Sequence, residues 1–251
     1  MNERADNQGR FLRGVYSRIH GRYELTNHVL TFGLDIIWRR KAAKLAAGYF
    51  ARRRSIPGES PGEDLILDVC TGTGEMAGLL RRRAQGGTTV LGLDFSKEML
   101  LEAAVQSGPF GTSLICADMD DIPFPDDTFD IVTMAFAMRN NNPDGETLSR
   151  RLGEIRRILR PGGVFVNLET SRPSSAVLRH LRDLYAKYFV AGTGGSITGD
   201  RSGFRYLSSS IRSFYGSDEL GRIFEKAGLE KVEIRKLSLG MTAIHAYRKP
   251  A

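Results

Sequence analysis

The stretch Asp68-Val69-Cys70-Thr71-Gly72-Thr73-Gly74-Glu75 constrains this chain more than any other. It follows the apolar run Leu65-Ile66-Leu67 and opens a helix-compatible segment, Met76 to Arg83. Asp94 then closes a second apolar run, Val90-Leu91-Gly92-Leu93. Strand, glycine turn, helix and an acidic residue ending the next strand make a nucleoside-binding βαβ unit. Glycine lets the backbone approach the ligand, and the carboxylate accepts protons from both ribose hydroxyls.

The turn is not that of a dinucleotide site, which needs a third glycine three residues after the second and a helix N-terminus free for pyrophosphate. Ala77 stands at that position, with Gly78 next, and Glu75 at the helix start would repel a pyrophosphate. A carboxylate there suits an ammonium group instead. The expected cofactor is S-adenosylmethionine, zwitterionic at its methionine end and cationic at sulfur.

Further along, apolar runs alternate with helical patterns. Strands are expected at Leu65–Val69, Thr89–Asp94, Ser113–Ala117, Asp130–Ala135 and Val164–Glu169, with helices at Met76–Arg83, Lys97–Ala104 and Glu146–Leu159. Such alternation predicts a parallel sheet with helices on both faces and ligands outside the strands' carboxyl ends. Ser217 is expected to cap a helix through Ala227, stopped by Gly228. The strands Lys231–Lys236 and Thr242–Tyr247 are too close together for a parallel crossover, so they form an antiparallel hairpin. A mostly parallel, seven-stranded, Rossmann-like α/β sheet with a C-terminal antiparallel hairpin resembles the class I S-adenosylmethionine-dependent methyltransferases.

The 251 residues are read as a single domain. A helical extension (1–55) precedes the cofactor-binding core (64–170). A helical insert on the substrate side (171–216) and a closing helix and hairpin (217–251) follow. Ser55 to Glu63, rich in proline and glycine, reads as a linker. No secretory signal is expected at Met1 to Arg10, and the longest apolar stretch, Ile131 to Met138, is too short to span a bilayer. With Cys70 and Cys116 as the only cysteines, a reducing, cytoplasmic location is expected.

The net charge of +7 comes largely from the clusters Arg52–Arg54, Arg81–Arg83, Arg150-Arg151 and Arg156-Arg157. Without interleaved aromatics these are no nucleic-acid stacking platform, so nucleic acid is not the expected partner. Solvated helix faces and an anionic membrane surface both remain open, as does a homodimer. No His, Cys and Asp grouping shows metal-ligand spacing, and no metal is expected.

At the end of the third strand, Asp118 can accept from an adenine amine while Met119 packs on the ring. The cofactor set is therefore Asp68, Thr71, Gly72, Gly74, Asp94, Phe95, Asp118 and Met119. After the fourth strand, Phe136-Ala137-Met138-Arg139-Asn140-Asn141 brings Arg139 and Asn140 to the edge where the transferred methyl must lie.

Several longer segments carry a narrower resemblance. They are Tyr23-Glu24-Leu25-Thr26-Asn27 with Thr31 to Trp38, Arg157 through Pro161-Gly162-Gly163 to Ser171, Phe204 to Ile211, and Gly240 to His245. From about Tyr16 to Lys249 the chain resembles the ubiquinone/menaquinone biosynthesis C-methyltransferase family. Glu24 and Thr26 stand where the family pattern has Asp and Met, and Asp35 where some members carry His.

The resemblance implies methyl transfer from S-adenosylmethionine to a ring carbon of a polyprenylated hydroquinone. A neutral ring carbon is a poor nucleophile, so the phenol must lose a proton and its oxyanion needs a partner. Arg139, always cationic and rich in donors, is the expected oxyanion partner. Asn140 and Tyr23 are candidate positioning residues, and His245 is a candidate base. Phe11, Tyr16, Tyr23, Leu30, Phe32, Trp38 and the insert from Leu178 to Phe214 are expected to cover the isoprenoid tail, with the arginine-rich surface at anionic lipid. The enzyme would act peripherally at the inner face of the membrane. Two alternatives stand beside this reading: a class I methyltransferase for another small acceptor, and a catalytically silent S-adenosylmethionine-binding scaffold.

Overall fold

A computed structural model describes residues 3–54, 64–84, 87–107, 112–141 and 144–251. The expected linker, Ser55 to Glu63, lies outside the described residues.

Seven strands form one sheet in the order β3-β2-β1-β4-β5-β7-β6. They are β1 (Asp64–Val69), β2 (Thr88–Asp94), β3 (Ser113–Cys116), β4 (Phe129–Ala135), β5 (Leu159–Thr170), β6 (Glu230–Leu237) and β7 (Thr242–Arg248). The first five run parallel. β7 is antiparallel to both β5 and β6, the short connection being the 3-10 turn Ser238–Gly240. The short crossing decided the hairpin, as its length required. Strand order reverses between β1 and β4, and the crevice of a doubly wound sheet lies at such a switch point.

β4 is buried along nearly its whole length because helices cover both faces of the sheet, which is why its sequence is mostly apolar, with Asp130 and Thr133 as its buried polar residues. On one face, Trp38, Ala42 and Ala46 of α3 (Leu34–Arg54) and Met76, Ala77 and Leu80 of α4 (Glu75–Arg81) pack on Ile66, Ile131 and Val166. On the other, Leu148, Leu152 and Ile155 of α6 (Gly145–Ile158) and Leu220 and Phe224 of α10 (Ser217–Lys226) pack on Val132, Phe165 and Tyr247. α5 (Lys97–Ser107) flanks β2 and β3.

Two of the differences from the expected boundaries have a clear physical cause. α6 gives way directly to β5 at Leu159, which pairs with Phe129, and Pro161-Gly162-Gly163 is absorbed as an irregularity inside the strand. Gly162 has φ 75°, and a Cβ on Gly163 would fall 2.8 Å from the Arg160 carbonyl oxygen, so both glycines are required. The N-cap of α10 is Gly216, not Ser217. The Gly216 N–H donates to Glu219 at 3.1 Å, and Ser217 is the first helical residue. Gly228, at φ 82°, stops that helix.

A third apolar cluster lies beyond the sheet. Val15 and Ile19 of α1 (Glu3–Ile19), Leu30 of α2 (Tyr23–Thr31), Val190 and Phe204 meet there. The latter two come from the segment after β5: α7 (Ala176–Leu184), a π turn (Tyr185–Val190), α8 (Ala191–Thr198) and α9 (Arg201–Ser213). Arg18 clamps the two segments through Asp200 at 2.7 Å. The helices before the sheet thus close over the same sheet edge as those inserted after β5. Among the described residues, no helix is long and apolar enough to cross a membrane.

Candidate functional site

The glycine turn is held from below. Asp68 is fully buried, and its two oxygens accept from the Thr71 hydroxyl at 2.7 Å and the Thr133 hydroxyl at 2.6 Å. Burial pushes its pKa up to about 6 against those two hydrogen bonds. Asp68 and Thr71, both expected to touch the cofactor, brace the turn against β4. Above them the chain takes left-handed backbone at Cys70 (φ 56°), Gly72 (φ 57°) and Gly74 (φ 84°). A Cβ on Gly72 would meet nothing within 4 Å, whereas one on Gly74 would come to 3.0 Å from Ala103 Cβ. Open space at Gly72 is what a ligand lying on the turn needs; Gly74 is a glycine for packing.

Asp94 ties the turn to the next strand. Its carboxylate accepts from the Gly72 N–H and the Ser96 N–H, both at 2.9 Å. Burial raises its pKa, opposed by these backbone donors. Each oxygen keeps a lone pair for a hydroxyl. Beyond it, Phe95 is covered by the Arg13 guanidinium, 5.4 Å from the ring centroid, and Arg13 also reaches Asp118 at 3.3 Å. Asp118 is half-exposed and braces its own turn through the Asp120 N–H. Met119 is buried, its sulfur 3.9 Å from Cys70 Sγ. Gly72, Asp94, Phe95, Asp118 and Met119 thus lie together along the ends of β1, β2 and β3. α1 roofs them with Arg13, which sequence reasoning passed over because it lies more than fifty residues ahead of the core.

Glu75, expected to face an ammonium group, is paired with a cation of the chain itself. Arg39 holds it at 3.1 Å and also binds Asp35. His28 donates from Nδ1 to the Asp35 carboxylate (2.9 Å), with its Nε2 at 3.7 Å from Glu75. Burial raises the Glu75 pKa, with Arg39 opposing. Burial also works against the Asp35 charge, but the Thr31 hydroxyl and Arg39 outweigh it and hold its pKa low. Glu24, His28 and Glu75 bring three ligand-type atoms within 4.8 Å of one another. Linear spacing could not reveal that grouping, because Glu75 belongs to a different helix. Arg39 already supplies the cation there, so we assign it no metal.

On the β4 side of the crevice, Phe136 takes φ 58° and turns the chain into the 3-10 turn Met138–Asn141. Such a conformation is strained for a bulky residue and is found where surrounding structure enforces it. Arg39 stacks over the Phe136 ring at 5.0 Å, linking this turn to the glycine turn. Arg139 lies beyond, buried, donating to the Glu169 carboxylate at 2.7 Å and the Phe136 carbonyl at 2.9 Å. Its Nε–H is buried without a partner among the described residues. Burial opposes the Arg139 charge, yet Glu169, Tyr23 and Tyr16 together raise its pKa. Asn140 donates from Nδ2 to the Tyr16 hydroxyl at 2.8 Å.

Tyr16 is the residue that joins the two halves. Its ring stands edge-on to Tyr23 at 5.8 Å and to Phe95 at 6.2 Å. Burial, aided by Tyr23, raises its pKa far above the ordinary phenol value. It therefore stays protonated and, while accepting from Asn140, keeps a proton to donate. The structure brings Tyr23, Arg139 and Asn140 together and adds Tyr16 and Glu169. In the sequence Tyr16 was expected only to help cover the isoprenoid tail, not to stand between the cofactor side and Asn140.

His245 is not part of this group. It pairs with Asn167 in the β5–β7 ladder and lies under α10, where its ring contacts Phe224 at 5.7 Å and Nε2 meets the Ser217 carbonyl at 2.9 Å. Burial lowers its pKa, so it is neutral. Its place three residues inside β7, rather than at the strand end, removes it from the reacting edge.

A seven-stranded, mostly parallel sheet closed by an antiparallel hairpin, with a glycine turn and acidic strand ends at the switch point, is the class I methyltransferase architecture. A SAM-dependent methyltransferase from Methanosarcina mazei shares it, with a TM-score of 0.54 and 20% identity over 75% of this chain and 93% of that one. Residues 2–249 match the ubiE/COQ5 methyltransferase family, and the chain belongs to it. It is 35% identical to a demethylmenaquinone methyltransferase of Thermus thermophilus, covering 94% of this chain and 100% of the relative. To the ubiquinone/menaquinone biosynthesis C-methyltransferase UbiE of Desulfotalea psychrophila it is 34% identical, over 92% and 87%.

Proposed function

We propose that this enzyme transfers a methyl group from S-adenosylmethionine to a ring carbon of a polyprenylated hydroquinone, completing a respiratory quinone of the menaquinone or ubiquinone type. The observation that carries the reading is Tyr16, set between the cofactor edge at Phe95 and the Arg139–Asn140 pair. Gly72, Asp94, Phe95, Asp118 and Met119 would hold the cofactor, and the open space over Gly72 fits it. Bound there, it supplies an electrophilic methyl on a sulfonium.

The chain's own residues act on the acceptor. Arg139 draws electron density onto a phenolic oxygen through its unpaired Nε–H, favouring the phenolate and so the ring-carbon nucleophile. Glu169 fixes the guanidinium plane. Tyr16 donates to the second ring oxygen, with Asn140 and Tyr23 orienting it. Overall a ring C–H becomes C–CH3, the sulfonium–methyl bond breaks, and one proton leaves. α1, α2 and the α7–α9 segment cover the ring and exclude water. We place the enzyme peripherally at the inner membrane face, where such a quinol resides. Expression in a bacterium lacking its own demethylmenaquinone methyltransferase should restore menaquinone. Accumulation of unmethylated precursor despite a folded, abundant protein would refute the reading.

A further inference from the structure

α7 presents an apolar stripe to solvent. Val177, Leu181 and Leu184 recur at helical spacing and are 69%, 52% and 39% exposed, and the π turn continues the row to Tyr188 at 65%. Isolated exposed apolar residues are ordinary, but a continuous row on one face marks an interaction surface.

Two further exposed apolar side chains lie on segments that touch this one. Phe32 and Leu239 are 74% and 77% exposed, and each sits on left-handed backbone, at φ 53° and 58°. A bulky residue in that region costs backbone energy, and exposing it adds a solvation cost. Both are anchored from behind. Phe32 stacks on Phe189 at 5.4 Å, and the turn bearing Leu239 is held by the bond from Trp38 Nε1 to Ser238 Oγ at 3.1 Å. Gly240 of that turn packs against Pro173, just ahead of α7. Three separate segments thus meet around α7 and the π turn.

The rim of this face is basic. Lys187 lies 5.1 Å from the Tyr188 ring, Arg179 is exposed on α7, and Lys41 is exposed one turn from the exposed Ile37. The arginine clusters on α6 are committed elsewhere. Arg150 and Arg151 pair with Asp120, and Arg157 pairs with Glu154 and Asp126. An apolar row with cations beside it matches a helix lying in the plane of an anionic bilayer.

We propose that α7 and the π turn form a membrane-insertion face, with Phe32 and Leu239 as flanking wedges and Lys187, Arg179 and Lys41 at phosphate level. Behind the face, Tyr185 and Phe189 pack into the same cluster as Tyr16 and Tyr23, and Tyr16 bonds to Asn140, the neighbour of Arg139, which gives a path inward from the face. That path carries the quinol only if the function proposed above holds; the docking itself does not depend on it.

The test is flotation of the full chain with vesicles of phosphatidylcholine alone or mixed with phosphatidylglycerol, at low salt. It uses the Val177→Glu/Leu181→Glu double variant and, separately, Leu239→Glu. Trp38, the only tryptophan, reports insertion through quenching by lipids brominated on their acyl chains. We expect the wild-type protein to float with anionic vesicles and be quenched. Each variant should melt normally yet partition about tenfold more weakly or worse. Absence of wild-type flotation, or flotation untouched by both variants, would overturn the proposal. So would a wild-type dimer that the double variant turns into a monomer, which would make the face a contact between copies. Normal flotation together with no methyl transfer to a short-chain soluble quinol would uphold the docking and refute only the substrate reading.

Discussion

Arg139 and Glu169 form a buried ion pair at 2.7 Å that joins the turn after β4 to the end of β5. The pair spans the edge where a methyl acceptor must lie. Removing the guanidinium should leave cofactor affinity intact and lower turnover by on the order of 10²–10³-fold. Glu169→Gln keeps an acceptor for Arg139 but no charge, and should lose roughly tenfold in kcat with KM little changed. Steady-state kinetics beside calorimetric cofactor titration checks both. An Arg139→Ala enzyme with full turnover would remove the residue from the mechanism.

The two turn glycines should separate binding from folding. Gly72→Ala adds a methyl into open space and bears mainly the left-handed backbone cost, about 1 kcal/mol. It should fold and lose cofactor binding. Gly74→Ala meets Ala103 at 3.0 Å as well, and should lower the melting temperature more. Equal effects of both on stability and binding would contradict the division.

Asp94→Ala should weaken cofactor binding tenfold or more, on the order of 1–3 kcal/mol, since a ribose acceptor and the partner of the Gly72 N–H both vanish. Normal affinity by calorimetry would make the ribose assignment wrong.

Asp68 gives a pH signature. Its folded pKa, about 6, lies above the ordinary carboxylate value of 3.8, so the folded state binds the proton more tightly than the unfolded chain. Its contribution to stability therefore grows as pH falls from above 6 towards 4, and is lost as pH rises through 6. The difference is on the order of 3 kcal/mol at most. Denaturant melts of wild type and Asp68→Asn should diverge across that window. Parallel profiles would show that Asp68 titrates normally.

His245→Ala should be destabilised by about 2–4 kcal/mol, because it loses Phe224 packing and strands the Ser217 carbonyl. Turnover per folded molecule should stay near wild type. A large kcat loss in a stably folded variant would return His245 to the chemistry.

Much of the fold was legible because its signals are local. Apolar runs such as Ile131–Met134 mark strands covered on both faces, and the short reach from Leu237 to Thr242 leaves only a hairpin. The glycine turn and Asp94 were legible because their spacing is fixed by one βαβ unit. Tyr16, Arg13 and Arg39 were not, since a helix far ahead in the chain lays them over the site through tertiary packing that no local pattern encodes. Asp68 and His245 were ambiguous for the opposite reason: polar residues near strand ends serve the interior as readily as a ligand. The outward aim of Phe32 and Leu239 was equally hidden, because it depends on left-handed backbone that their side chains disfavour.

The most direct test of the account is transfer from methyl-labelled S-adenosylmethionine to reduced demethylmenaquinol and to the ubiquinol precursor, with products read by mass spectrometry. One label per molecule, on a ring carbon, is expected, and it should disappear in Arg139→Ala. Label on a phenolic oxygen, or none on either quinol from an enzyme that binds the cofactor, would contradict it.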